Sequence, residues 1–276
     1  MSVAKIGFAG MGNMGQALLK AFTGARVCLP ENIAVLSNSE DGKIAARDAG
    51  AAICETPAAL AAFADIVIIA VKPKDAHELI RSLCPSINGK ALLSIVAGLG
   101  YSELRKSLWG VKTRVLITMP NTPVQVGEGI IAFTNETDFN EEERDFAVRL
   151  FAPVAQVEWI NEAQLAALAA LAGSGPAYAA LFAEALADGA VKEGLPRELS
   201  LRLAAKTLWG TGKLLFQGGR HPAVLKDAVC SPGGTSIEGI AALEGRAFRS
   251  ALIEAVSAAA SKFERLFPLN TNPDSK

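Results

Sequence analysis

The residues best suited to chemistry are closely spaced glycines near the start of the chain. They follow a short apolar run and open a helix-like stretch: Gly10, Met11, Gly12, Asn13, Met14 and Gly15. In a GxGxxG loop after a strand, the first glycine makes a tight turn, the second lets backbone approach a pyrophosphate, and the third lets helix pack on strand. The helix N–H groups then bind phosphate. The spacing predicts a dinucleotide site, and the alternative is a tight turn in a non-binding α/β domain.

A second polar group follows the next apolar run. Here Leu36 is followed by Ser37, Asn38 and Ser39, where NAD-preferring folds place an acidic residue that binds the ribose 2′-hydroxyl. Hydroxyl and amide groups can donate to a 2′-phosphate, and Lys43 adds positive charge. The segment favours binding of NADPH, with NADH as the alternative cofactor. If it binds no ligand, it is a polar turn between a strand and a helix.

Two further loops follow candidate strands, on the side where such sheets bind ligands. One contains Val71, Lys72 and Pro73, and the other places Asn121 between two prolines. A stiff loop with a hydrogen-bonding side chain can hold a nicotinamide, but the same residue types also make ordinary turns. Both interpretations stay open at this point.

Another glycine pair lies in the second half of the chain, in the segment Ser231–Ser236. Gly233 and Gly234 permit a tight turn, and the N–H groups from Gly234 to Ser236 would point out of a helix start towards a carboxylate. Thr235 adds a hydroxyl beside that of Ser236. The alternative is that Ser231 and Thr235 cap helices.

The elements that must position these residues are strands alternating with helices, the pattern of a parallel sheet covered on both faces. The candidate strands are Lys5–Ala9, Ile33–Leu36, Ala51–Cys54, Ile66–Val71, Ala91–Val96, Arg114–Thr118, Gly129–Thr134 and Val154–Val157. After Trp159 the chain becomes alanine-rich and helical, with breaks at glycine and proline. We therefore expect an α/β Rossmann-type parallel-sheet domain over residues 1–160 and an all-α domain over residues 161–276.

Composition excludes several classes of function. The chain has 276 residues, with 27 Lys plus Arg against 28 Asp plus Glu, so no net field attracts nucleic acid or an anionic membrane. The four cysteines have no paired spacing and there are only two histidines, which favours reduced thiols and no metal site. We expect no signal peptide, no membrane span although residues 163–183 are apolar, a frayed tail after Phe267, and a cytoplasmic location.

Seven motifs in order give the chain an end-to-end resemblance to the pyrroline-5-carboxylate reductase family. They are residues 10–15, 70–73, 119–123, 173–178, 188–197, 221–227 and 231–237. The resemblance implies reduction of a cyclic imine by a nicotinamide cofactor to give proline, the last step of proline biosynthesis. It also implies a helical domain that dimerises, rings of dimers in many members, and a site shared between subunits.

The resemblance also assigns roles to individual residues. It implies that the segment with Gly233, Gly234 and Thr235 binds the substrate carboxylate, with Lys226 in the same site, and that Ser236 supplies a hydroxyl near the ring nitrogen. Family members usually carry threonine at that position. Pro57 falls where relatives often have an asparagine near the cofactor ribose, which bears on the choice between NADPH and NADH.

Two rival functions remain on the residues alone. A hydroxyacid dehydrogenase shares this architecture but needs a lysine or histidine acid/base near the start of the second domain, and residues 161–178 contain neither. A dinucleotide-binding scaffold without turnover is the other. Binding of NADPH without imine-dependent oxidation would identify it.

Overall fold

The computed structural model describes residues 4–268. The chain divides into two compact units, one formed by Met1–Gly173 with Ala260–Lys276 and the other by Ser174–Ala259. The predicted boundary at residues 160 and 161 differs from this division, because residues 161–173 and the end of the last helix group with the sheet. The expected frayed tail lies outside the described residues after Pro268.

One sheet of eight strands organises the first unit, in the order β3-β2-β1-β4-β5-β6-β7-β8. The strands are β1 Ile6–Ala9, β2 Ile33–Leu36, β3 Ala52–Cys54, β4 Ile66–Ile69, β5 Ala91–Ser94, β6 Arg114–Pro120, β7 Gly129–Thr137 and β8 Ala155–Ile160. Residues of β1, β2, β4 and β5 are all buried, as expected for strands covered on both faces. The Rossmann-type prediction is confirmed.

Helices cover both faces of this sheet. They are α1 Asn13–Gly24, α2 Glu40–Asp48, α3 Pro57–Phe63, α4 Pro73–Leu83, α5 Tyr101–Ser107, α6 Glu141–Phe151 and α7 Leu165–Leu168. Three of them, α2, α3 and α6, begin at a capping side chain. The Thr56 hydroxyl accepts from Ala59 N–H at 3.1 Å, and Pro57 occupies the first turn of α3. Asn140 and Glu143 form a capping box at α6.

The last two strands run against the first six. β6 pairs antiparallel with β7, whereas β7 and β8 are parallel to each other. Only a short segment containing a 3₁₀ turn, Thr122–Val126, joins β6 to β7. A parallel pairing needs a crossover of a dozen or more residues, so this connection reverses the chain. The strand positions were predictable here, but their direction depended on the connection.

The second unit contains helices only. They are α8 Gly175–Lys192, α9 Arg197–Gly218, α10 Pro222–Val229 and α11 Thr235–Glu244, followed by α12 Phe248–Leu266, which continues into the first unit. The expected breaks at glycine and proline include residues 194–196, which separate α8 from α9. Large apolar side chains of this unit remain exposed, namely Leu181, Leu186, Leu195, Leu201, Leu203, Trp209, Leu214, Phe216, Val224, Val229, Ile237, Leu243, Leu252 and Ile253.

The apolar stretch entering this unit is interrupted at Ser174, so the break expected at glycine and proline is present. A π-helical turn, Ala169–Gly173, follows α7 and ends before Ser174. Helix α8 then begins at Gly175, with Ser174 as its N-cap and Pro176 in its first turn. By length and hydropathy the stretch Glu162–Lys192 could cross a membrane, although core helices of other proteins pass the same test.

Candidate functional site

The first glycine loop is held between the carboxyl ends of β2 and β4. Gly10 N–H donates to the Leu36 carbonyl at 2.8 Å, and Gly12 N–H donates to the Ala70 carbonyl at 3.0 Å. Gly10 has φ of +88°, and a Cβ there would collide with the Val71 side chain. This backbone is therefore reserved for glycine, and the sheet itself fixes the shape of the loop.

The start of α1 provides donors for an anion. The helix begins at Asn13 with Gly12 as its N-cap, and among residues 4–268 no side chain caps it. A Cβ on Gly15 would lie 2.9 Å from the Ala70 Cβ, so glycine also permits the close approach of helix and strand. The N–H groups of the first turn remain as donors, together with the positive end of the helix dipole.

The turn after β2 combines a structural and a polar role. The Ser37 and Ser39 hydroxyls lie 3.2 Å apart, and Ser39 caps α2 by accepting from Gly42 N–H at 3.1 Å. The two serines therefore stabilise a polar turn, which was the alternative to cofactor binding. Each hydroxyl keeps further hydrogen-bonding capacity, and the exposed Asn38 amide is not among the groups that build the turn.

A cleft of about 640 Å³ joins these elements. Eight of the predicted cofactor residues line it, namely Gly10, Met11, Gly12, Ser37, Asn38, Ser39, Val71 and Lys72. The cleft is also lined by residues whose chemical type did not predict a cofactor contact, namely Leu36, Glu55, Pro57, Lys74, Asp75, Glu78, Leu79 and Ser82. Most of these residues lie on α4, which begins directly after Lys72. Their position shortly after the end of a strand is the sequence feature that could have predicted them as cleft residues.

The predicted residues Asn13, Met14, Gly15 and Pro73 border the cleft elements without lining the cleft. Asn121 lies apart from it and is only 6% exposed. Its Nδ2 donates to the Ala172 carbonyl at 3.0 Å, and its Oδ1 accepts from Ile130 N–H at 2.8 Å. The structure therefore gives the Asn121 amide a role in joining the β6–β7 turn to the π-helical turn, and a nicotinamide contact through it stays a prediction.

The second glycine loop lies between α10 and α11 in the helical unit. Gly233 has φ of +64°, and α11 begins at Thr235 with Gly234 as its N-cap. Gly234 N–H donates to the Ser231 carbonyl at 3.0 Å, so the predicted set of free N–H groups has to start one residue later. Thr235 is the first residue of the helix and not its cap. The N–H groups of Thr235 and Ser236 are the donors that this helix start offers to a carboxylate.

The helix before this loop, α10, has a side-chain cap at its N-terminus. His221 Nδ1 accepts from Ala223 N–H at 3.2 Å, and Pro222 follows in the first turn of α10. Lys226, near the end of α10, lies 2.7 Å from the Asp227 carboxylate. That hydrogen bond and the charge of Asp227 raise the pKa of Lys226, so its ammonium stays protonated at neutral pH.

The fold and the cleft define a dinucleotide-dependent oxidoreductase with a helical second unit. Residues 162–266 match the profile described as pyrroline-5-carboxylate reductase dimerisation, and residues 5–98 match that described as NADP oxidoreductase, coenzyme F420-dependent. The pyrroline-5-carboxylate reductase of Escherichia coli is 37% identical, over 95% of this chain and 98% of the relative. That of Thermus thermophilus is 41% identical over the same shares.

A solved structure points to the same family as the sequence comparisons. The pyrroline carboxylate reductase of Plasmodium falciparum, crystallised with NADP bound, has a TM-score of 0.86 and 31% identity, covering 96% of this chain and 98% of that one. The chain therefore belongs to the pyrroline-5-carboxylate reductase family.

Proposed function

We propose that this protein reduces the imine of 1-pyrroline-5-carboxylate to give L-proline, the last step of proline biosynthesis, with NADPH as the reductant. The observation that carries this proposal is identity of 37% to 41% with reductases of that name across 95% of the chain. The similarity therefore spans both the dinucleotide cleft and the helical unit. A dehydrogenase sharing only the first unit would not show it.

The cleft residues fit a dinucleotide on their own geometry. Gly10 and Gly12 line the cleft, Gly15 lets α1 approach Ala70 closely, and the start of α1 offers N–H donors for the pyrophosphate. Ser37, Asn38 and Ser39 are proposed to bind the 2′-phosphate, and Val71 and Lys72 to lie along the nicotinamide half. When bound, the cofactor supplies the hydride that reduces the imine carbon.

The second glycine loop is proposed to hold the substrate. The N–H groups of Thr235 and Ser236 would bind the ring carboxylate, with Gly233 and Gly234 shaping the turn and Lys226 adding positive charge. The Ser236 hydroxyl is the candidate donor to the ring nitrogen, where it would favour the protonated and more electrophilic imine. Serine keeps the hydroxyl of the usual threonine but lacks the methyl group that restricts its rotamers.

The helical unit is proposed to form a homodimer. Fourteen large apolar side chains of the unit stay exposed in the single chain, whereas only Ala187, Ser200 and Ala204 are buried among residues 174–259. So many exposed large apolar side chains with so few buried residues are typical of a protein–protein interface. We further propose that the dimers assemble into a ring and that the protein lies in the cytoplasm. NADH is proposed as an alternative to NADPH.

The test is loss of NADPH, and separately NADH, when 1-pyrroline-5-carboxylate is added to the purified protein. Imine-dependent loss is expected, with NADPH used faster than NADH. A protein that binds NADPH tightly but shows no imine-dependent loss would support the scaffold function instead. Loss with a 2-oxo acid in place of the imine would indicate a hydroxyacid dehydrogenase.

A further inference from the structure

Two ion pairs border the turn proposed to bind the 2′-phosphate. Lys43 Nζ lies 3.7 Å from the Glu55 carboxylate, and Arg47 lies 2.8 Å from the Glu40 carboxylate. The two acidic residues also differ in their relation to the cleft. Glu55, directly after β3, lines the cleft together with Ser37 to Ser39, whereas Glu40 does not line it.

The position of Glu55 gives it opposite effects on the two nicotinamide cofactors. A 2′-phosphate carries close to two negative charges near neutral pH and is repelled by a carboxylate facing the same cleft. A ribose 2′-hydroxyl is neutral and can donate a hydrogen bond to a carboxylate. The Glu55 side chain is 77% exposed, so it can move towards the ribose, but water also weakens its field.

The pairing with Lys43 strengthens the same effect. Lys43 lies in the first turn of α2, directly after the Ser37–Ser39 turn, and its side chain is only 27% exposed. While the ammonium is paired with Glu55, part of its charge is already compensated and the phosphate gains less from it. Removing the carboxylate would therefore both relieve repulsion and release a cation next to the phosphate position.

We propose that Glu55 is a specificity-determining residue that restrains the preference of this protein for NADPH over NADH. The proposal rests on the proposed function only in placing the adenosine ribose at this end of the cleft. The acidic group lies directly after β3 instead of at the end of β2.

The test compares Glu55→Gln with the matched variant Glu40→Gln, which removes the same charge from the neighbouring pair outside the cleft. Dissociation constants for NADPH and NADH are measured by calorimetry at low and at near-physiological salt, with thermal unfolding as a check on folding. We expect Glu55→Gln to tighten NADPH about 3- to 10-fold, to leave NADH unchanged or weaker, and to lose part of the effect as salt rises. Glu40→Gln should change the ratio less than about 2-fold.

An unchanged ratio of the two dissociation constants in Glu55→Gln would overturn the proposal, as would an equal shift in Glu40→Gln. Lys43→Gln extends the test, because it should weaken NADPH more than NADH. These are binding measurements, so they are independent of turnover. A wild-type protein that binds both cofactors but never reduces the imine would contradict the proposed reaction and leave the role of Glu55 to be decided by the binding ratios.

Discussion

The two glycine loops of this protein end in the same feature, a helix start with free N–H groups, but their surroundings differ. The loop at Gly10 is bonded to the ends of two strands, and its glycines touch Ala70 and Val71. Around Gly233 a Cβ would meet nothing within 4 Å among the described residues. The first loop is thus shaped by the sheet it belongs to, whereas the second is shaped by its own turn.

The strongest test of this difference substitutes alanine for the left-handed glycine of each loop. Gly10→Ala adds a Cβ that collides with Val71 at a φ of +88°, so we expect at least about a 100-fold loss of NADPH affinity, or failure to fold. Gly233→Ala has only the strain of a φ of +64°, about 1 kcal/mol of stability. Calorimetry with NADPH and thermal unfolding measure the two. Equal losses of NADPH affinity would contradict the contrast between the loops.

Ser236 sharpens the chemical side of the comparison. Removing a hydroxyl aimed at the ring nitrogen should lower kcat by about 10- to 1,000-fold in Ser236→Ala. Binding of NADPH should not change, because the first loop is untouched. Ser236→Thr, which keeps a hydroxyl at this position, should keep activity, and steady-state kinetics of wild type and both variants measure the effect. Wild-type kcat in Ser236→Ala would remove the hydroxyl from the reaction.

The exposed helical surface can be tested through association. Leu181 on α8 is 67% exposed, so Leu181→Glu would place a charge on the surface proposed to dimerise. We expect the dimer to weaken at least about 10-fold, since burying an unpaired carboxylate in an apolar interface costs about 2 kcal/mol or more. Trp109→Glu is the control, because Trp109 is 91% exposed but belongs to the first unit. Sedimentation equilibrium showing the same effect in both variants would argue against this interface.

The smallest effect concerns the packing of the first unit. Burial, with the hydrogen bond to Asp138 at 2.7 Å, raises the pKa of Tyr101 to about 12. Because the phenol is neutral in both states below its unfolded pKa of about 10, its contribution is complete there and falls as pH rises towards 12. Tyr101→Phe should cost about 1 kcal/mol at pH 7.

Tyr101→Phe is also the control for the pH dependence, because phenylalanine does not titrate. The difference in unfolding free energy between wild type and Tyr101→Phe, measured with urea, should shrink between about pH 10 and the folded pKa of about 12. A difference that stays constant over this range would show that folding does not raise the pKa of Tyr101.

The sequence predicted what depends on local patterns. All eight strands lie within three residues of their expected ends, because buried parallel strands require uninterrupted apolar runs such as Ile66–Ile69. It did not predict the reversal at β7, which follows from the short connection before it. Nor did it predict the internal hydrogen bonds of Asn121 or the acidic side chain of Glu55 in the cleft, because both depend on which strands become neighbours.

Hydride transfer to a cyclic imine, with proline as the product, can be followed atom by atom. The experiment uses NADPH deuterated at the transferable C4 position, with the amino acid product analysed by chiral separation and mass spectrometry. We expect L-proline carrying one deuterium at C5, formed in equal amount to the NADPH consumed. Undeuterated proline, or loss of NADPH without any proline, would contradict this reaction.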